Sequence, residues 1–174
     1  MSPERSSYEI SFEEIISNAK ERMLLDGKIE PILVIESSKS LVIVPLQDMP
    51  ETHGERIGLM RFLGQFTAKS GKVNQLQQVF MVTEGWMSKA TKSKPSKMRP
   101  SQDPNRKEVL IISGIQMRER KKHLKLFEIL RDSNEHVVSL EGFFPNEKQD
   151  ESVEIPLLEA FVYGFQMAFQ TKYN

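Results

Sequence analysis

The 174-residue sequence contains no cysteine, and this absence excludes several classes of protein. A disulfide-stapled scaffold, a cysteine-ligated zinc or iron–sulfur centre and a cysteine nucleophile all require the thiol group. Disulfides belong to oxidising compartments, so a chain without cysteine fits a cytoplasmic protein. A chain of this length buries roughly 70% of its unfolded surface on folding. We therefore expect a single domain over residues 1–174 that needs no covalent staple.

Long apolar runs are also absent. The longest are Ile32–Ile35 and Leu41–Leu46, whereas a membrane-spanning helix needs about 20 apolar residues. The first nine residues are polar and lack the apolar core of a signal peptide. We expect residues 1–9 to be flexible and the protein to have no membrane partner.

Motifs that carry known chemistry are missing as well. The chain has no glycine-rich phosphate loop, no HExxH, no GxSxG and no paired-aspartate metal motif. Its three histidines, His53, His123 and His136, are far apart in sequence, and no two have the spacing of metal ligands. We expect no metal and no cofactor, and the balance of these features leans away from an enzyme.

Charge is balanced overall but unevenly distributed. The net charge is zero, yet residues 88–132 carry a balance of +8 between flanks of −3 over residues 1–87 and −5 over residues 133–174. Such asymmetry indicates either an interaction surface or a domain that neutralises itself on folding. The basic segment 89–122 has no aromatic residue for base stacking and no helix-turn-helix or finger pattern. Nucleic-acid binding through it is therefore the weakest of three functional hypotheses.

Three helices are predicted from caps and apolar periodicity. Ser11 and Glu14 form a capping box before a helix over residues 12–25, with Gly27 as its terminator. Thr52 and Glu55 repeat the pattern before a second helix that stops near Gly71. Pro156 suits the first turn of a third helix, whose phenylalanine stripe should dock on a sheet. In the second helix, Gly58 and Gly64 either weaken the helix or permit close contact with the sheet.

Six strands are predicted from short β-branched and aromatic runs. Residues 31–35 and 41–44 read as a hairpin, and residues 76–87 as a third strand. A polar, proline-containing loop over 88–107 leads to a meander of strands 109–117, 124–131 and 137–144, with a charged turn over 118–123. The predicted fold is α+β, a mainly antiparallel sheet of about six strands packed with three helices, in the order α-β-β-α-β-β-β-β-α.

Candidate ligand-binding residues cluster around the long loop. Glu84 and Trp86 end the third strand, where they form either the floor of a binding site or a core cap whose carboxylate pairs with a lysine. In the loop, Arg99, Arg106 and Lys107 can donate to an anion. Alternatively, Asp103, Asn105 and Arg106 form internal hydrogen bonds that hold the loop against the sheet. His53 lies at the second helix start, as an acid–base group or as an ordinary exposed cap residue.

One stretch resembles a known group. Glu84-Gly-Trp-Met87 is followed by Pro100-Ser101, Asp103-Pro104, Arg106 and Glu108-Val-Leu110. This pattern resembles a signature of small bacterial proteins to which no function is attached. The resemblance covers residues 84–110 only and implies no catalytic or binding residue. It favours a fixed conformation for the loop.

Three functions remain open. The first is a non-enzymatic binding or assembly protein, in which the sheet or basic loop contacts a partner or edge strands pair two copies. The second is an enzyme or binder of small anionic ligands, with a pocket near segment 84–108. The third is the nucleic-acid hypothesis, which predicts that affinity falls steeply with salt.

Overall fold

The computed structural model describes residues 9–87, 102–142 and 154–171 and confirms the predicted α+β fold. The helices are α1 (Phe12–Asp26), α2 (His53–Lys69) and α3 (Pro156–Thr171). The strands are β1 (Ile32–Ser37), β2 (Leu41–Pro45), β3 (Leu76–Met87), β4 (Lys107–Gln116), β5 (Lys121–Arg131) and β6 (Val137–Gly142). The order of elements is the predicted one. None of the helices in these ranges combines the length and hydropathy that a membrane span requires.

The six strands form one sheet in the order β2-β1-β3-β4-β5-β6, with every neighbouring pair antiparallel. β1 and β2 form the predicted hairpin, and β4, β5 and β6 form the predicted meander. β3 lies between these two units and joins them. The long β3–β4 ladder runs from the pair Gln78–Gln116 to the pair Met87–Lys107.

Helices cover both faces of the sheet, because the central strands alternate their side chains between two apolar cores. Val34, Phe80 and Ile112 pack against α1. Leu33 and Met81 point to the other face and pack with α2 and α3. The two cores explain why the strand sequences are apolar at successive positions rather than only at alternate ones.

Both predicted capping boxes are confirmed. The Glu14 amide donates to the Ser11 hydroxyl over 3.2 Å, and the Ser11 amide donates to the Glu14 carboxylate over 2.7 Å. Gly27 follows α1 in the left-handed conformation with φ of 72°. At α2 the Glu55 amide donates to the Thr52 hydroxyl over 3.3 Å. Local sequence therefore determines where both helices begin.

The sequence allowed Gly58 or Gly64 to bring α2 close to the sheet. At Gly64 the close contact is instead between α2 and α3. A Cβ on Gly64 would lie 2.0 Å from the Phe161 carbonyl oxygen, and a Cβ on Gly164 would lie 2.1 Å from the Arg61 carbonyl oxygen. Each glycine thus removes the side chain that would hold the two backbones apart. Phe161 and Phe165 of the predicted phenylalanine stripe are buried in the core that α2 and α3 share with the sheet.

The charged turn between β4 and β5 is shorter than predicted. β5 begins at Lys121, so His123 belongs to the strand rather than to the turn. Arg120 adopts a φ of 50°, which lets the chain reverse over few residues and extends the ladder to the pair Gln116–Lys121. Of the predicted 88–107 loop, residues 88–101 lie outside the described residues, and Lys107 already belongs to β4.

Candidate functional site

A cavity of about 930 Å³ lies on the α2–α3 face of the sheet, and we call it the sheet–helix cavity. Its floor is formed by β3, β4 and β5, and its walls are formed by the starts of α2 and α3. The lining residues are Pro31, Met49, Glu51, Thr52, His53, Arg56, Met81, Thr83, Glu84, Gly85, Trp86, Glu108, Ile111, Ser113, Leu124, Glu154, Ile155, Pro156, Leu157 and Leu158.

Three of the predicted site residues, His53, Glu84 and Trp86, line this one cavity. His53 is the first residue of α2 and is exposed. Trp86 is 44% exposed and therefore does not cap the core. The Arg106 guanidinium stacks over its ring at 4.3 Å from the centroid, a geometry typical of a cation–π contact.

Asp103 holds a turn rather than facing the cavity. Its carboxylate accepts a hydrogen bond from the Asn105 amide over 2.8 Å, and its carbonyl oxygen accepts one from the Arg106 amide over 3.1 Å. This arrangement is the internal role that the sequence allowed for it. Arg99 lies outside the described residues.

The Glu84 carboxylate makes its hydrogen bond on the α1 side of the sheet, opposite to the cavity. It accepts a hydrogen bond from the Ile29 amide, in the connection between α1 and β1. The alternative that it pairs with a lysine is not seen within the described part of the chain. Glu84 therefore contributes to the cavity's edge, while its charge anchors the chain that follows α1.

Glu108 is likewise engaged by Arg131. The guanidinium donates to both carboxylate oxygens, over 2.8 and 2.6 Å, and to the carbonyl oxygens of Gly27 and Glu135. The hydrogen bonds to Glu108 raise the pKa of Arg131 above its ordinary value. This cluster ties the end of α1 to β4 and β5.

The charges at the cavity do not favour an anion. Glu51 and Glu154 line it, and Arg56 donates through Nε to the Pro50 carbonyl oxygen over 2.6 Å. Each helix start already has its own carboxylate. Glu55 accepts from Thr52, and Glu159 accepts from the Ile155 amide over 3.3 Å. A capped helix start offers little to a further negative group.

The floor contains a polar group that sequence reasoning missed. Ser113 in β4 is 7% exposed and lines the cavity. No hydrogen bond joins its hydroxyl to another residue of the described ranges, and the hydroxyl is not a fully buried, unpaired atom, so it borders the cavity. The neighbouring Thr83 hydroxyl, by contrast, donates to the Glu84 carbonyl oxygen over 3.0 Å. A serine in the otherwise apolar run of residues 109–115 is the sequence signal that would have found it.

A second concavity lies on the other face of the sheet, between α1 and the β1–β2 hairpin, and we call it the α1–edge groove. Its volume is about 980 Å³. Leu25 of α1 and Leu41 and Ile43 of β2 line it, with exposures of 76%, 37% and 59%. The groove therefore borders an edge strand of the sheet.

A buried chain of polar side chains crosses four strands beneath the start of α1. His123 Nε2 lies 2.9 Å from the Gln116 side-chain oxygen, and Gln116 donates to Gln78 over 3.3 Å. Gln78 donates to the Glu36 carboxylate over 2.6 Å and to the Ile10 carbonyl oxygen over 2.7 Å. The Ile10 amide donates to the same Glu36 carboxylate, so the polar ladder fixes the chain where it enters α1.

Much of the described basic segment is already paired. Lys107 forms an ion pair with Glu128 at 2.7 Å, and Lys122 pairs with Glu159. Arg118 and Arg120 are exposed, while residues 89–101 of the segment lie outside the described residues. Among the residues with described positions, no cluster of three histidine or carboxylate side chains is suited to a metal ion.

Comparison with known proteins gives one family. No significant match was found among curated proteins or among solved structures. The family model described as bacteriophage lambda protein ea47 matches residues 1–164. The chain therefore belongs to the family of bacteriophage lambda protein ea47.

Proposed function

We propose that this protein is a non-enzymatic assembly protein that pairs with a second copy of itself through the outer edge of β2. The position of β2 at the edge of the sheet and its lack of charged side chains carry the proposal. All five residues of β2 are uncharged, and Ile43 is 59% exposed beside the α1–edge groove. An exposed, uncharged edge presents free backbone donors and acceptors to any strand that can align with it.

The opposite edge shows the contrast. β6 carries Glu141 within the strand, and its pairing with β5 shifts register between Leu130 and Arg131. Charges, bulges and proline are the usual means by which an edge strand discourages pairing, and β2 has only a proline, Pro45 at its end. The pairing of β2 with β1 is regular over all five residues. The two edges of one sheet therefore differ, and β2 is the edge that favours a strand partner.

A second copy supplies the matching surface. Leu25, Leu41 and Ile43 together expose somewhat less than two whole side chains per copy, which on burial contribute about 3 kcal/mol per copy. Hydrogen bonds between two antiparallel β2 strands add roughly 1 kcal/mol each. A net charge of zero imposes no overall repulsion between copies. Because association itself costs about 4 kcal/mol or more, we expect a weak dimer with a dissociation constant no tighter than about 50 μM.

The test is sedimentation equilibrium over a concentration series, with wild type, Ile43→Lys and Phe66→Lys. Ile43→Lys puts a charge on the proposed edge. Phe66→Lys is the matched control, because it adds the same charge at an exposed apolar residue elsewhere. Phe66 lies on α2 and is 62% exposed. We expect wild type and Phe66→Lys to dimerise alike and Ile43→Lys to stay monomeric.

A wild-type protein that is monomeric at all concentrations would sink the proposal. So would a dimer that survives Ile43→Lys and is lost in Phe66→Lys, because that result would place the interface on the helices. Circular dichroism of each variant excludes loss of folding as the cause of monomer formation.

The sequence expectations of a cytoplasmic location and of kinship with small bacterial proteins remain part of this proposal. The absence of cysteine supports the location. A strand-paired dimer needs no disulfide, so it is compatible with a reducing compartment.

A further inference from the structure

The sheet–helix cavity has features of a ligand site that dimer formation through β2 does not use. The lining of its floor includes Met81, Ile111 and Leu124, and the lining of its wall includes Leu158. Its volume of about 930 Å³ is within the range of pockets that hold small molecules, which are mostly apolar with a few well-placed polar groups.

Ser113 supplies a polar group within the apolar floor of this cavity. Its backbone pairs with Met81 and Leu124 on either side, so its position on the floor is fixed by the ladder. The residue as a whole is 7% exposed and lines the cavity, and no hydrogen bond joins its hydroxyl to another residue of the described ranges. A hydroxyl at this place can donate or accept one hydrogen bond to a molecule in the cavity, and a typical bond of this kind contributes about 1 kcal/mol.

The charges around the cavity decide which class of ligand fits. Both helix starts are capped by the chain's own carboxylates, and Glu51 and Glu154 line the cavity. We propose that the cavity binds an uncharged, mainly apolar molecule with one hydrogen-bonding group that pairs with the Ser113 hydroxyl. The described charges favour such a molecule over the anionic ligand expected from sequence.

Fluorescence titration with phenylnaphthylamine tests the proposal. This probe is neutral and apolar and has one N–H group that a serine oxygen accepts. Anilinonaphthalene sulfonate has the same ring skeleton with an added negative charge, so it isolates the effect of charge. We expect the neutral probe to bind the wild-type protein with increased, blue-shifted emission and the sulfonate to bind at least several-fold more weakly.

Three variants locate the probe. Ser113→Ala removes one hydrogen bond and should weaken binding roughly 3–10-fold. Ile111→Trp fills the cavity and should abolish binding. Ser139→Ala is the matched control, because this strand serine lies on β6, away from the cavity, and it should bind as wild type does.

Equal affinity in wild type, Ser113→Ala and Ile111→Trp would mean that the probe binds elsewhere and would overturn the proposal. Absence of binding to the wild type, or tighter binding of the sulfonate, would do the same. A urea unfolding curve for each variant shows that it is folded under the conditions of the titration.

Discussion

At the scale of single residues, His123 is a buried histidine in close contact with its neighbours. It is 7% exposed, lies 4.7 Å from the Phe12 ring, and its Nδ1 has no partner among the described residues. Gln116 donates its amide to Gln78, so its oxygen is left to accept from His123. His123 therefore carries its proton on Nε2, and a second proton on Nδ1 would have no acceptor.

This geometry predicts a pH dependence of stability. Burial lowers the pKa of His123 below its ordinary 6.5, and Lys121 and Lys125 lower it further, whereas Glu13 on α1 acts in the opposite direction. The unfolded chain then binds a proton more readily than the folded one. His123 thus contributes stability that is complete above about pH 6.5 and is lost as pH falls from there through the lowered folded-state pKa.

Urea unfolding at several pH values between about 7.5 and 5.5 measures this loss in wild type and in His123→Gln, whose amide still donates to Gln116. We expect the wild type to lose more stability across the window than the variant. His53 and His136 are present in both proteins, so the difference isolates His123. Parallel curves for the two proteins would contradict the prediction.

Arg131 is the second residue whose role is structural. Its side chain and that of Glu108 are only 20% and 19% exposed, and its remaining donors satisfy Gly27 and Glu135. Arg131→Met should cost about 2–4 kcal/mol of unfolding free energy, because it leaves a partly buried carboxylate without its partner.

The double variant Arg131→Met with Glu108→Met is the control for that prediction. It removes both charges, so it should recover much of the lost stability in the same urea experiment. A double variant as unstable as the sum of the single variants would contradict the assignment of the cost to the unpaired Glu108.

At the scale of elements, the close contact between α2 and α3 depends on two glycines. Gly64 and Gly164 each face a backbone carbonyl at about 2 Å from where a Cβ would stand. Gly58, in the same helix as Gly64, is exposed and has nothing within 4 Å of its Cβ position. Gly64 and Gly164 therefore permit close helix packing, whereas the helical glycine Gly58 has no such packing role.

Alanine at these positions should change stability in opposite directions. Gly64→Ala and Gly164→Ala force the helices apart and should each cost about 1–3 kcal/mol or more. Gly58→Ala lowers the backbone entropy of the unfolded chain and meets no clash in the folded helix, so it should stabilise the protein by about 0.5–1 kcal/mol. Thermal unfolding of the three variants measures the signs, and stabilisation by Gly64→Ala would be incompatible with the contact described.

Most elements were predictable because their signals are local. The two residues of each capping pair, Ser11–Glu14 and Thr52–Glu55, lie three positions apart, so neighbouring residues determine where each helix begins. The start of β5 was not predicted, because Lys121 and Lys122 are polar and enter the strand only through pairing with β4. The helix–helix contact of Gly64 depends on residues near position 161, about a hundred positions away.

At the scale of the whole molecule, the sheet separates the two proposed surfaces. The sheet–helix cavity is lined by Met81, Thr83 and Ser113, whereas the α1–edge groove is lined by Val34 and Val82. Successive residues of a strand point to opposite faces. The sheet–helix cavity and the α1–edge groove therefore lie on opposite faces of one sheet.

This separation predicts that the proposed ligand binding and the proposed dimer formation are independent of each other. Ile43→Lys should leave the affinity for phenylnaphthylamine within about twofold of wild type, and Ser113→Ala should leave the dimer dissociation constant equally unchanged, since distant sites that share no partners act additively. Fluorescence titration and sedimentation equilibrium on both variants measure this. Coupling larger than tenfold in either direction would show that the surfaces communicate.

The sequence alone determined the class of the fold, the helix starts and the order of elements, because caps, turns and apolar periodicity act over a few residues. It also indicated His53, Glu84 and Trp86 as candidate ligand-binding residues, and all three line one cavity in the fold. Only the tertiary structure decided that Glu84 accepts a hydrogen bond from the Ile29 amide, that Ser113 lies on the cavity floor, and that β2 is a terminal strand of the sheet. Each of these depends on contacts between residues distant in sequence, which no local pattern encodes.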